Sequence, residues 1–210
     1  SSINAMAYVR CHREDYDRWA RGGCTGWSYA DILPYFIKAE DWEKGDQPLR
    51  GTGGPLTTIE NKYPDPLLEA WLQAGEAAGY SRTADYNGVQ NEGLATLQST
   101  IRNGKRCSAA VAYLRPAMKR PNLTVLTKKL VHKVVLEGNK AVGVEYSSDG
   151  GGPLITVSAE REVIVSGGVI NSPQLLMLSG IGPADHLKEH GIGASIDLQG
   201  VGQNLQDHLS

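Results

Sequence analysis

The chain has 210 residues, with 21 Lys+Arg against 23 Asp+Glu, 40% hydrophobic residues and 21% charged, the composition of an ordinary soluble globular protein. That balance excludes intrinsic disorder, a collagen-like repeat and a disulfide miniprotein. A formal net charge of -2 leaves no basic field, which argues against nucleic acid and anionic membranes as general partners.

Glycine stands out at 25 residues, so many tight turns or close backbone approaches are expected. No apolar run reaches the roughly 18 residues that span a bilayer, and no transmembrane segment is predicted. Ser1-Ser2-Ile3-Asn4 carries neither a Met nor a signal pattern, so truncation at the N-terminus is expected. Cys11, Cys24 and Cys107 are odd in number and form no Cys-x-x-Cys pair; a reducing, cytoplasmic location fits them best.

In chain order, small residues give way to alternating charges from Arg13 to Arg18. Trp27 to Glu40 predicts a short amphipathic helix, with Ser28 as N-cap and Ile32, Leu33, Phe36 and Ile37 at helical spacing. Glu43 to Pro66 is rich in Gly, Pro, Lys and Asp, and reads as a long loop of the length many lids have. Pro66 opens a clearer helix, with Leu67, Leu68, Trp71, Leu72 and Ala78 on one face and Gly79 ending it. Tyr86-Asn87-Gly88 is turn chemistry. Ser108 to Leu114 reads as an Ala-rich helix stopped by Pro116.

The period then changes. Residues 123–127, 131–136, 141–146, 154–158 and 162–166 are short β-branched runs, with hairpin turns expected at Glu137-Gly138-Asn139-Lys140 and Ser148-Asp149-Gly150-Gly151. They predict a small, largely antiparallel β element. Val163-Ile164-Val165 differs in being continuously apolar. With Gly167-Gly168 and the run Gln174 to Leu178 it forms a strand, glycine turn, helix unit, capped by Ser172, opened by Pro173 and stopped by Gly180. Such a unit aims backbone N–H groups at whatever lies above the strand end, although plain α/β packing produces the same pattern. The fold class read from these elements is mixed α/β.

No complete Gly-x-Gly-x-x-Gly is present: the pairs at 51/53, 150/152, 180/182, 191/193 and 200/202 all lack the third glycine, and there is no Walker loop. His186 and His190 have metal-ligand spacing, but a surface helix ending at Gly191 explains them more simply. His208 beside Asp207 lacks a nucleophile, and Cys107 beside Lys105 and Arg106 lacks a patterned His and acid, so structural roles are expected for both.

Three separated stretches resemble the glucose–methanol–choline family of flavin-dependent oxidoreductases, and within it the choline-dehydrogenase-like alcohol dehydrogenases. Ser1 to Arg10 resembles the end of the family's first signature, Gly168 to Gly182 its second signature, and Gly200 to His208 the segment after it. Asp85-Tyr86-Asn87-Gly88 and Arg106 to Leu114 add agreement. Cys11 departs from the pattern where a glycine is usual, and Val169 where a smaller residue is usual.

The resemblance implies an interior piece of a longer enzyme: part of a Rossmann-like FAD-binding domain with a small antiparallel β element, plus part of a substrate domain. It divides the chain into an FAD-domain segment at 1–26, a lid and substrate-domain segment at 27–120, a second FAD-domain segment at 121–182, and a return toward the substrate domain at 183–210. It implies FAD as cofactor and a small-molecule alcohol as substrate, oxidised to the aldehyde by hydride transfer to flavin N5. Ser1, Asn4, Ala5 and Ala7 would approach the flavin and its phosphates, the Val131 backbone the adenine, Gly167 and Gly168 the cofactor, and Asn204 and Leu205 would begin the return to the flavin. The family's catalytic His and its second His or Asn have no counterpart here, so no catalytic residue is assigned. Oxidase and dehydrogenase chemistry are both compatible with these residues, and the electron acceptor and oligomeric state stay open. A family lyase or decarboxylase, and a non-catalytic binding module, are the alternatives.

Overall fold

The structure is a computed structural model that describes residues 4–45, 47–148 and 151–207. The chain forms two units, Ser1–Thr124 and Val125–Ser210.

In the first unit, a capping box starts α1 (Arg13–Arg21): the His12 side chain accepts from Glu14 N, and the Asp15 carboxylate accepts from His12 N. Acidic Glu14 and Asp15 in its first turn and basic Arg18 and Arg21 in its last complement the helix dipole. The charge alternation that hid this helix in the sequence is therefore its capping pattern. Ser28 caps α2 (Tyr29–Ala39), as its sequence predicts.

β1 (Glu40–Trp42) follows α2 without a loop and pairs in parallel with β2 (Leu56–Glu60), Glu40 opposite Leu56. β2 pairs antiparallel with β3 (Gln98–Ser99). The stretch 43–66, read as one long loop, thus holds a strand, and its glycines permit close approach. A Cβ at Gly51 would stand 1.9 Å from the Ile37 carbonyl oxygen, and one at Gly54 would stand 2.4 Å from that of Glu40.

The centre of this unit is polar. Glu40 is fully buried, and its carboxylate accepts from Arg10 Nη2 at 2.6 Å, Arg50 Nη2 at 2.6 Å, Arg50 Nε at 2.9 Å and Thr58 Oγ1 at 2.7 Å. The Arg50 guanidinium lies 3.8 Å from the centroid of the Trp42 ring and also donates to Asp85 at 2.7 Å. Two cations around one carboxylate offset a desolvation cost that a lone buried charge would not survive.

Asp65 caps α3 (Pro66–Ala77), with Pro66 in the first turn and Gly79 past its end at φ 93. Of its predicted apolar face only Leu72 is buried, while Leu67 and Trp71 are exposed. β4 (Ile101–Arg102) and β5 (Lys105–Arg106) form a hairpin about Asn103-Gly104, at φ 51 and 70, the two left-handed positions of a type I′ turn. The helix expected at 108–114 is a π-helix over Ala110–Leu114 that runs on into α4 (Arg115–Ala117), so Pro116 lies inside helical backbone rather than ending it. The wider i+5 bonding, with Arg115 N donating to Ala110 O, reorganises the ladder where Pro116 supplies no N–H.

The second unit contains the expected antiparallel element: β6 (Lys129–Glu137), β7 (Lys140–Ser148) and β8 (Gly151–Ser158) pair in sequence order. Gly138 takes φ 57 in the first hairpin turn; Asp149 and Gly150 of the second lie outside the described residues. α5 (Gly168–Leu178) lies against β6, joined by Ser179 Oγ, which accepts from Val134 N at 2.8 Å and donates to Leu175 O at 2.6 Å. β9 (Ile181–Gly182) and β10 (Ile196–Asp197) pair in parallel around α6 (Ala184–Glu189), whose Leu187 is buried.

Three sequence expectations are corrected here. Residues 123–127 and 162–166 form no strand among the described residues, and Ile164 is 79% exposed: β-branched composition reports β propensity, whereas a strand also needs a partner. α5 starts at Gly168, not at a Ser172 cap, because Gly168 turns the chain at φ 88. Pro173 falls in the second turn, where it costs one intrahelical bond. Among the described residues no helix is long and apolar enough to cross a membrane.

Glu40→Gln should destabilise the first unit by about 3–5 kcal/mol, since it leaves the buried Arg10 without its counter-charge and Arg50 with Asp85 alone; the shift in urea midpoint read by tryptophan fluorescence measures this. A second outcome concerns alkali. Tyr16 Oη donates to the Arg10 carbonyl at 2.6 Å, and burial, helped by the neighbouring Cys11 thiol, pushes its phenol from 10.0 up to about 12. A raised pKa contributes its stability in full below pH 10, and that contribution is lost as pH rises through about 12. Burial raises Tyr8 and Tyr86 too. The midpoint should therefore hold to pH 10 and fall above it, with Tyr16→Phe flattening part of the fall.

Candidate functional site

Each unit carries candidate site residues of its own. In the first, the chain from Asn4 to Arg10 runs as an extra strand beside β3: Ala7 bridges Ser99, Tyr8 N donates to Gln98 O at 2.9 Å, and Thr100 N donates to Met6 O at 2.9 Å. Strand alternation points Met6, Tyr8 and Arg10 inward and leaves Ala5, Ala7 and Val9 exposed. The outward face is thus made of short side chains, and a flat ligand can approach its backbone closely.

Asn4 is held by Arg106, whose Nη1 donates to its carbonyl at 2.7 Å and to its Oδ1 at 3.1 Å; the same Oδ1 accepts from Met6 N at 2.8 Å. The sequence marks Arg106 as a neighbour of Cys107 and as the start of a stretch that agrees with the family pattern, with no role for its side chain. The Cys107 thiol itself is 1% exposed and faces Pro55 O, an inert setting. Met6, at φ 66 within this stretch, and Cys11, at φ 63 just past it, bend the chain on either side of the Ala7–Arg10 segment. The left-handed value at Cys11 explains why glycine is usual at this place in the family that the sequence resembles.

In the second unit a cleft of about 470 Å3 opens between β6, α5 and the 163–167 stretch, lined by Val131, Val144, Val163, Val165, Gly167 and Asn171 among others. Two predicted site residues far apart in sequence, Val131 and Gly167, therefore share one cavity. The β6–β7 register slips between Val131 and Lys133, and such a bulge interrupts the ladder next to Val131. Within that bulge, His132 Nε2 is 2.8 Å from the buried Ser147 Oγ. Gly168, next to Gly167, is kept glycine by its φ of 88, since a Cβ there would meet nothing within 4 Å.

Asn204, at φ 57, and Leu205, 62% exposed, belong to the second unit but do not line this cleft. Ser1 lies outside the described residues, as does His208. His186 and His190 stack edge to face, their centroids 4.7 Å apart, and no cluster of three or more His, Cys, Asp or Glu suited to a metal occurs among the described residues. Sequence reasoning missed Arg106, Glu40 and the side chains of Tyr86 and Asn87. For the last two a signal was present in the agreement of Asp85-Tyr86-Asn87-Gly88 with the family pattern, while the burial of Asn87 to 1% exposure belongs to the fold.

The profile of the GMC oxidoreductase family matches residues 1–210. The chain is 54% identical over 209 residues to the oxygen-dependent choline dehydrogenase of Brucella anthropi, covering 100% of this chain and 38% of that protein. It spans the same 38% of the length of the other most similar curated relatives. An FAD-dependent oxidoreductase from Chaetomium thermophilum superposes with a TM-score of 0.89 at 36% identity, over 98% of this chain and 38% of that one. Pyridoxine 4-oxidase from Mesorbium loti gives 0.86 at 35% identity, over 94% of this chain and 39% of that one.

Substituting the strained position tests its backbone reading. A left-handed L-residue costs about 1–2 kcal/mol, and glycine returns about 0.4–1 kcal/mol of that through the unfolded chain. Cys11→Gly should therefore be neutral or stabilising by up to about 1 kcal/mol, while β-branched Cys11→Val loses more than about 1 kcal/mol; urea midpoints of the two variants measure the difference.

Proposed function

The chain belongs to the GMC oxidoreductase family, and on that premise we propose that the protein is an FAD-dependent oxidoreductase that oxidises the CH–OH group of a small primary alcohol to the aldehyde, with choline-like alcohols as the substrate class. The observation that carries this reading is the meeting of Val131 and Gly167 on one cleft, because a bulged strand edge and a glycine turn are what an adenine and its phosphates need from a backbone. When bound, FAD supplies the hydride-accepting N5 atom for the two-electron oxidation of the alcohol.

The residues present fit that group. Val131, Val163 and Val165 give the cleft apolar walls for a flat ring, and Asn171 and Gln174 put amides on its lining. α5 begins with no side-chain cap, which suits a helix end that faces an anion. The short outward side chains of Ala5 and Ala7 suit close passage of an isoalloxazine, with Asn4 oriented by Arg106 beside them. The role of this chain is to hold and orient the cofactor; Asn204 and Leu205 belong to the return toward it. The free thiols of Cys11, Cys24 and Cys107 support a reducing, cytoplasmic setting.

The complete gene product that carries these residues should purify with flavin absorbance, and that absorbance should bleach when choline is added without oxygen. Absence of flavin would overturn the cofactor assignment; flavin that no primary alcohol bleaches would overturn the reaction. Gly168→Ala, which forces a side chain onto φ 88, should weaken flavin retention roughly tenfold, the equivalent of about 1.4 kcal/mol.

A further inference from the structure

The strand that presents Ala5, Ala7 and Val9 is laddered to β3 only as far as Tyr8. There Tyr8 O and Arg10 N are taken up by side chains from the Asp85–Gly88 turn, while Arg10 O accepts from Tyr16. Asn87 Oδ1 accepts from Arg10 N at 2.7 Å, and Asn87 Nδ2 donates to Tyr8 O at 2.9 Å and to Gln98 Oε1 at 2.8 Å. Tyr86 Oη donates to the same Tyr8 carbonyl at 3.0 Å and accepts from Gln98 N at 2.7 Å. The Asn87 amide is 1% exposed, and its orientation follows from its partners, since an N–H must meet oxygen and two oxygens must meet NH2. One side chain, 77 residues away in sequence, thus does for Tyr8 and Arg10 what a neighbouring strand does elsewhere.

We infer that Asn87 is a positioning residue for the flavin-facing strand Asn4–Val9, fixing through Tyr8 O and Arg10 N the height at which that strand meets the cofactor; this rests on the functional reading above. The turn itself is anchored. Asp85 Oδ1 accepts from Arg50 at 2.7 Å, from Gln98 Nε2 at 2.8 Å and from Asn87 N at 3.0 Å, so the clamp is referred to the buried Glu40 cluster rather than to a free loop. Hydride transfer is steep in distance, and a misplacement near 1 Å costs on the order of a hundredfold in rate. A clamp on the backbone of the cofactor-facing strand therefore acts on kcat rather than on alcohol binding.

The test compares Asn87→Asp and Tyr86→Phe with Leu72→Ala in the complete flavoprotein. N87D keeps the acceptor for Arg10 N but turns an oxygen toward Tyr8 O and Gln98 Oε1. Y86F removes one of the two donors to Tyr8 O and is the milder change. L72A opens the buried face of α3 and serves as a control for lost stability alone. Expected for N87D are a displaced flavin absorbance maximum, a shifted reduction potential and a kcat lowered about ten- to a hundredfold, with KM for choline changed less than about twofold. Y86F should show the same signs to a smaller extent, and L72A none of them at an equal loss of melting temperature. If N87D fails to retain flavin while L72A retains it, the inference stands. It is overturned if N87D and Y86F keep the wild-type spectrum, potential and kcat, or if L72A reproduces their changes. Absence of flavin from the wild-type protein would instead overturn the functional reading beneath it.

Discussion

One carboxylate organises the first unit. Glu40 sits where α2 ends and β1 begins, fully buried, and the groups that surround it come from the N-terminal strand, the 43–55 stretch and β2. An ion taken out of water must be met by partners in good geometry or the fold loses several kcal/mol. Each of these segments is therefore obliged to converge on one point. Gly51 shows the consequence: its N–H also reaches Glu40, at 3.2 Å, and only a residue without a Cβ can lie so near the Ile37 carbonyl. Arg50 closes the arrangement by stacking on Trp42 while it bonds Glu40, Asp85 and Gln98. A guanidinium suits this place because its planar fork can serve several acceptors and an aromatic face together.

The second unit works by a different rule. Its β6–β8 meander is built from ladder bonds and β-branched packing, and one of its register shifts, between Val131 and Lys133, adjoins a residue that lines the cleft. The bulge between Val131 and Lys133 shares its strand with Val134, whose N–H is fastened to the end of α5 through Ser179. The helix start at Gly168 is in turn set by a left-handed glycine. Cleft wall and helix start are therefore tied to the same strand, and a ligand held between them meets a surface already in place.

The two units differ in how they leave backbone open to a ligand. The cleft does it with glycine and a bulge. The Asn4–Arg10 strand does it with alanines outward and a fully bonded polar interior, in which Tyr8 and Arg10 point inward and each bonds the other side chain at 3.1 Å. Asn87 enters that interior and Arg106 holds Asn4 at its exposed end, both from distant parts of the chain, and they turn a short stretch into a defined surface.

Much of this was legible in the residues. The Ser28 cap, the Asp65-Pro66 helix start, the Gly79 and Gly180 stops and the Gly138 hairpin are local matters, decided by which φ and which caps each residue allows. Local periodicity likewise determined the antiparallel element, and motif order alone pointed to the family. What the sequence could not express was partnership. The runs 123–127 and 162–166 have strand composition without a strand beside them. The charge-rich stretch at 13–21 and the loop-like 43–66 hid a capped helix and a strand. The bonds of Glu40, Asn87 and Arg106 join residues 10 to 102 positions apart. Sequence by itself determined the turns, caps and composition of this protein, because those depend on neighbours within a few residues. Tertiary structure alone decided that most of its best-buried described side chains are charged or polar, because only folding brings together the opposite charges and donors that make such burial affordable.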